Sequence, residues 1–182
     1  MSIKVLEGRL VDKKISLDIS IIKLRELIDQ NQLIIIRNCF NVDKINKVLK
    51  LLHDFGINNP EENPDNSAKV KFFHRIDNNH PKMTVKRIAH FYRFSYENKG
   101  INEIFDFFEP MNILRNQIAE IDIKYSFFDE IDGFISQPAV LHYPIGGGYM
   151  QEHVDPVDPQ KVEMVLAGSQ KGEDYTEGGL QI

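Results

Sequence analysis

The chain predicts an α+β fold, and three observations carry that prediction. Helical periodicity dominates residues 1–133. From Phe134 onward the texture changes to short strand-like runs broken by glycine turns. Strands that follow helices, rather than alternating with them, indicate an antiparallel sheet. No GxGxxG or P-loop pattern occurs, so nucleotide-binding folds lose support.

The elements follow in order. Residues 3–6 read as a short edge strand. Ile19, Ile22, Leu24, Leu27 and Ile28 recur at near-helical spacing, which predicts an amphipathic helix over residues 19–30 stopped by Asn31. The β-branched run at residues 33–36 predicts a buried strand. Asn41 can cap a second helix whose stripe is Val42, Ile45, Val48, Leu49, Leu52 and Phe55, with Gly56 as its left-handed C-cap. Residues 57–68 form the clearest loop.

Residues 69–96 mix His74, Arg75, His80, Lys86, Arg87, His90 and Arg93 with aromatic side chains, and fit helix or strand equally. Residues 102–121 return to helical spacing, with Pro110 expected to kink or split the helix. Strands are expected at residues 134–143, 149–155 and 162–167, with a fourth beginning at Tyr175. Gly146, Gly147 and Gly148 form a turn or bulge between the first two. Residues 168–173 form another turn. The division is a mainly helical region, 1–133, packed on a strand-rich core, 134–182, as one domain.

Composition narrows the class. The hydrophobic share of 42% and charged share of 27% are those of an ordinary globular chain. A net charge of −5 argues against a broad nucleic-acid surface. No apolar run is long enough for a membrane span, and the N-terminus lacks a signal-peptide core. The single cysteine, Cys39, excludes an internal disulfide framework and fits a reducing, cytoplasmic setting. Beside Phe40, it reads as a packing residue rather than a nucleophile.

The chemistry concentrates near the end of the chain. His153 and Asp155 flank Val154. In an extended strand, residues i and i+2 share a face, so an imidazole and a carboxylate stand side by side. That is two thirds of the facial site of two histidines and one carboxylate that holds non-heme Fe(II). Taken alone, a His-x-Asp triplet also fits a charged pair on a surface strand.

The context is more specific. Tyr143 and Gly146 precede the pair, and Tyr175, Gly178, Gly179 and Leu180 follow it. In order and spacing, this segment resembles the first half of the core of an iron(II)- and 2-oxoglutarate-dependent dioxygenase, most clearly the prolyl-hydroxylase-like members. The resemblance implies a partial double-stranded β-helix, or jelly roll, with a helical N-terminal region. It implies His153 and Asp155 as iron ligands, and Tyr143 as a hydrogen-bond partner of the 2-oxoglutarate carboxylate. Tyr143 fits a packed core tyrosine equally well. Gly178 and Gly179 resemble the paired glycines that let a neighbouring strand pass close to the site. Fe(II) is the implied metal, 2-oxoglutarate the cosubstrate and dioxygen the second reactant.

The same resemblance calls for a second histidine and a distal arginine, and neither follows His153 in these residues. His142 is expected to face away from Tyr143, and Asp158 and Glu163 do not match the pattern. The expectation is an N-terminal part of a longer enzyme. The alternative is a naturally short chain, non-catalytic or completed by a partner chain. Either way, weak iron binding and little turnover are expected from these residues alone. Non-catalytic cupin-like binding and a zinc or manganese hydrolase are the competing classes. The basic residues of 69–96 suit an anionic group, although a solvated or packed face is the plainer reading. A second metal site at His74, His80 and His90 lacks zinc spacing. The substrate and the oligomeric state stay open.

Overall fold

The computed structural model describes residues 2–58, 73–78, 85–94, 101–122, 136–155 and 161–179. Among them the predicted α+β class holds: three α-helices and two small sheets. The order of elements is more mixed than helices first and strands last.

The first sheet is built on β1 (Ser2–Val11). It pairs antiparallel with β2 (Lys14–Leu17) and parallel with β3 (Gln32–Arg37), in the order β2-β1-β3. Asp12 and Lys13, at φ of 48° and 60°, make the two-residue turn whose twist suits a hairpin. The expected edge strand at residues 3–6 is therefore a long central strand. Its charged positions, Lys4, Glu7 and Arg9, lie among the exposed ones, while Leu6 and Gly8 face inward. That alternation has a period of two, which a search for apolar runs overlooks.

Helix α1 (Ile21–Asp29) starts where Ser20 accepts a hydrogen bond from the Lys23 backbone N–H at 3.2 Å. It buries Leu24 and Leu27 and stops at Asn31, whose φ is 57°. Helix α2 (Val42–Asn58) is capped by Asn41, as its sequence predicts. It does not end at Gly56. The helix runs two residues further, and Gly56 is where the Tyr92 ring crosses it, since a Cβ there would land on the Tyr92 hydroxyl. Close approach, not a left-handed cap, explains this glycine. Ile57 and Asn58 belong to α2, and the rest of the expected loop, 59–68, lies outside the described residues.

The undecided segment contains β4 (Phe73–Asn78) and β5 (Arg87–Arg93), antiparallel to each other with Phe73 opposite Arg93. A 3₁₀ turn (Asn102–Ile104) leads into helix α3 (Phe105–Ala119). Pro110 does not split α3. It lies fully buried inside it, and burial outweighs the backbone hydrogen bond that proline forfeits. The C-terminal carbonyls of α3 are met from α1: Arg25 Nε donates to Ile118 O at 3.0 Å and Nη1 pairs with Glu120 at 2.6 Å.

The second sheet is centred on β5. Strands β6 (Ala139–His142) and β7 (Tyr149–Met150) lie end to end along its other edge. His142 pairs with His90 and Tyr149 with Ile88, so residues 143–148 loop out opposite Ala89. The glycine run is thus an excursion within one antiparallel line. Gly148 N donates to Pro144 O at 3.0 Å to close it, and Gly146 and Gly147 sit at positive φ.

Three strand expectations are corrected. The strand expected over 149–155 ends at Met150. Residues 162–167 form no strand, although burial still alternates: Val162, Met164 and Leu166 turn toward the core and Glu163 and Val165 outward. At Tyr175 there is only a single bridge to Lys171. A ladder needs a partner for each strand, and the described residues offer none here. Among the described residues, 1–133 holds strands as well as the three helices. It carries β1 to β5, and β5 pairs with β6 across the expected boundary.

Two apolar clusters hold these parts. One joins Val48 and Leu52 of α2 to Tyr92, Phe94 and Phe107. The other joins Leu6, Leu24, Leu114 and Ile118 beneath the first sheet. Helix α3 reaches both, which ties the two sheets into one body. Among the described residues, no helix is long and apolar enough to cross a membrane.

Candidate functional site

The site grows from the end of β7. Gln151 N donates to Lys86 O at 2.8 Å, extending the β5–β7 pairing by one residue. The Gln151 carbonyl oxygen lies 2.9 Å from His153 Nδ1. A carbonyl only accepts, so Nδ1 carries the proton and Nε2 keeps its lone pair when the ring is neutral. His153 Nε2 then stands 3.5 Å from Asp155 Oδ2. The pair comes together as the sequence predicts, but through a non-strand segment anchored to β5 by Gln151.

This geometry suits a cation. Two donor atoms held about 2.1 Å from one ion stand roughly 3.0–3.4 Å apart. A ligating histidine commonly has its other ring nitrogen fixed by a carbonyl, as Gln151 does here. The side chains are 28% and 51% exposed, which leaves the pair open to incoming groups. Among the described residues, no group of three His, Cys, Asp or Glu side chains could hold a metal ion.

Two further residues bear on these candidates: Glu163, set aside in the sequence, on the His153–Asp155 pair, and Arg87 on Tyr143. The Glu163 carboxyl lies beside Asp155 and His153. Partial burial and then the Asp155 carboxylate push its pKa up, with His153 pulling the other way. The outward phase of Glu163 between Val162 and Met164 was the available signal. Arg87 is the second, and its charge reaches Tyr143.

Tyr143 opens the glycine excursion. Its hydroxyl contacts Met150 Sδ at 3.9 Å. Partial burial raises its pKa, Arg87 opposes that, and Glu163 adds to it. Tyr143 is 43% exposed, so it is not a packed core tyrosine. Glu163 is an electrostatic neighbour both of Tyr143 and of the His153–Asp155 pair.

The remaining candidates separate from it. His142 lies beside His90 at 5.3 Å between ring centres, in register across β5 and β6. Gly178 and Gly179 take positive φ of 93° and 114°, and among the described residues a Cβ on Gly178 would meet nothing within 4 Å. The positive φ of Gly178 gives it a backbone-turning role among the described residues. Cys39 packs against Gly8, and burial and the Glu7 charge push its thiol pKa up, away from nucleophilic use. His80 and Asp158 lie outside the described residues, as do the side chains of His74 and Arg75. A hollow of about 600 Å³ lined by Arg9, Cys39, Phe40 and Phe107 borders none of the site residues.

Compared with protein-family models, with curated proteins and with solved structures, the chain matches none.

Proposed function

We propose that this chain carries part of an Fe(II)- and 2-oxoglutarate-dependent dioxygenase site on a partial double-stranded β-helix. The observation that carries the reading is the His153 Nε2 to Asp155 Oδ2 separation of 3.5 Å, with Nδ1 already committed to the Gln151 carbonyl. His153 and Asp155 are the residues that would hold the metal. When bound, ferrous ion with 2-oxoglutarate and dioxygen supplies a coupled oxidation: the cosubstrate becomes succinate and carbon dioxide, and a substrate C–H becomes C–OH.

The chain's own residues prepare that chemistry. Gln151 fixes the imidazole tautomer so that a lone pair points into the site. Asp155 supplies an anionic oxygen. Tyr143 offers a hydroxyl to a carboxylate oxygen of the cosubstrate. The β5–β6–β7 line, with its excursion at 143–148, holds Tyr143 against Met150.

The absence of a three-ligand group among the described residues favours a second reading, a non-catalytic jelly-roll or cupin-like binding module, or a chain completed by a partner. Titration with Co(II), followed by its visible spectrum, tests the metal reading. Weak binding that disappears in both His153→Ala and Asp155→Ala, with circular dichroism unchanged, supports it. Binding unaffected by both substitutions refutes it. Succinate formation with Fe(II), 2-oxoglutarate and oxygen, supplied with a partner chain or a C-terminally extended chain, separates the enzyme from the binding module.

A further inference from the structure

The hollow of about 600 Å³ is walled by three segments distant in sequence. The β1–β2 hairpin contributes Arg9, Leu10 and Lys13. The connection from β3 and the first turn of α2 contribute Phe40 and Lys44, and the first half of α3 contributes Asp106 and Glu109. Arg9 has the outward parity of β1, opposite to Leu6 and Gly8. Asn38, at φ of 61°, turns the chain from β3 toward α2. The Phe40 ring then packs on Phe107 at 5.0 Å between centres, which fixes that connection against α3.

The charges around this hollow are incompletely matched. Lys13 Nζ stands 3.7 Å from Glu109 Oε2, joining the hairpin turn to α3. Arg9, Lys44 and Asp106 are exposed, and none has an ion-pair partner among the described residues. The Asn38 amide is committed to Glu7 at 2.7 Å, and Asn41 Oδ1 to the Lys44 backbone N–H at 3.2 Å. The charged side chains are therefore the polar groups left to meet a ligand. The lining carries three cations against two carboxylates, an excess of one positive charge. Apolar surface lies beside them, with Leu10 exposed and Phe40 half-buried.

We propose that this hollow binds a small monoanion with an apolar body, of the carboxylic-acid class. It borders neither His153 nor Asp155, so the inference stands independently of the dioxygenase reading. Small-molecule pockets measure roughly 300–1,000 Å³ and pair an apolar lining with a few polar groups that orient the ligand. This hollow has that size and that mixture. Arg9 and Lys44 meet the carboxylate, and the arginine fork allows a two-point contact. Leu10 and Phe40 take the apolar body out of water. Asp106 is the opposing charge. It weakens the hold on any anion and disfavours a second negative group on the ligand.

Calorimetry with 4-phenylbutyrate tests this on the whole chain, with 4-phenylbutanamide as the neutral control. The acid is expected to bind about 5-fold more tightly than the amide, as partly exposed charges allow. Arg9→Gln and Lys44→Gln are each expected to cut that preference by about half or more. Asp106→Asn is expected to tighten acid binding by about 2–5-fold, a gain that a misfolded variant cannot produce. Cys39, the single cysteine, lines the same hollow and reports where the acid sits. Saturating acid is expected to slow its alkylation by iodoacetamide. Equal affinity for acid and amide, a preference unchanged in both glutamine variants, no gain in Asp106→Asn, or an unprotected Cys39 overturns the proposal. The titrations run without metal, so failure of the metal reading at His153 and Asp155 leaves this one standing.

Discussion

His153 Nε2 and Asp155 Oδ2 face each other at 3.5 Å while His153 Nδ1 is held by the Gln151 carbonyl oxygen at 2.9 Å. With the ring neutral, two acceptors oppose each other. Such a contact is favourable only with a positive charge between or on them, either a proton on the imidazole or a metal ion.

Asp155→Asn distinguishes a built ligand pair from an incidental surface contact. The amide N–H can donate to Nε2, which converts an opposed pair into a hydrogen bond worth about 0.5–1.5 kcal/mol. The metal-free variant is expected to melt no lower than the wild type, and up to about 4 °C higher. It should lose the rise in melting temperature that Co(II) gives the wild type. Thermal melts with and without Co(II) measure both. A variant that still responds to Co(II) refutes the ligand assignment.

His142, at the end of β6, supplies a pH test. Partial burial, then the charge of His53, hold its pKa below the ordinary 6.5. His90 is its cross-strand neighbour, and His53 itself lies 3.7 Å from Asp54. A histidine whose folded pKa is depressed binds fewer protons folded than unfolded. Stability is therefore present above about pH 6.5 and is lost as pH falls through the folded value. Because the residue is partly exposed, screening keeps the effect small. His142→Asn is expected to flatten the fall in melting temperature between pH 7.5 and 5 by roughly 1–3 °C. A fall as steep as the wild type's assigns the acid sensitivity to other groups.

Much of the helical part was legible because it depends on local chemistry. Ser20 and Asn41 cap where such side chains should, and Leu24, Leu27, Val48 and Leu52 are inside at the predicted period. The strands were less legible because a strand is defined by its partner. Residues 162–167 alternate as a strand should, yet pair with nothing described, while the polar-rich β1 is central. The site shows the same split. His153 and Asp155 were readable from a two-residue spacing. Arg87 and Glu163 come from distant segments; only the outward phase of Glu163 between Val162 and Met164 hinted at one of them, and no local pattern announces Arg87.

Gly56 carries the last prediction, because two rules oppose each other there. In an exposed helix interior, replacing glycine with alanine adds about 0.5–1 kcal/mol of stability by restricting the unfolded chain. At Gly56 the new methyl would land on the Tyr92 hydroxyl. Tyr92 is 6% exposed and stacks on Phe94 at 6.3 Å, and Phe94 is wholly buried, so the ring has little room to retreat. Overpacking of this kind costs about 1–3 kcal/mol and outweighs the entropic gain. Gly56→Ala is therefore expected to lower the melting temperature by about 2–6 °C. Removing the obstructing oxygen should recover part of that loss, so Gly56→Ala combined with Tyr92→Phe is expected to be more stable than the two single effects add up to. Urea melts of the four proteins in this cycle measure the coupling. A stabilised Gly56→Ala variant, or strict additivity, shows that α2 and β5 are not packed as closely as Gly56 and Tyr92 indicate.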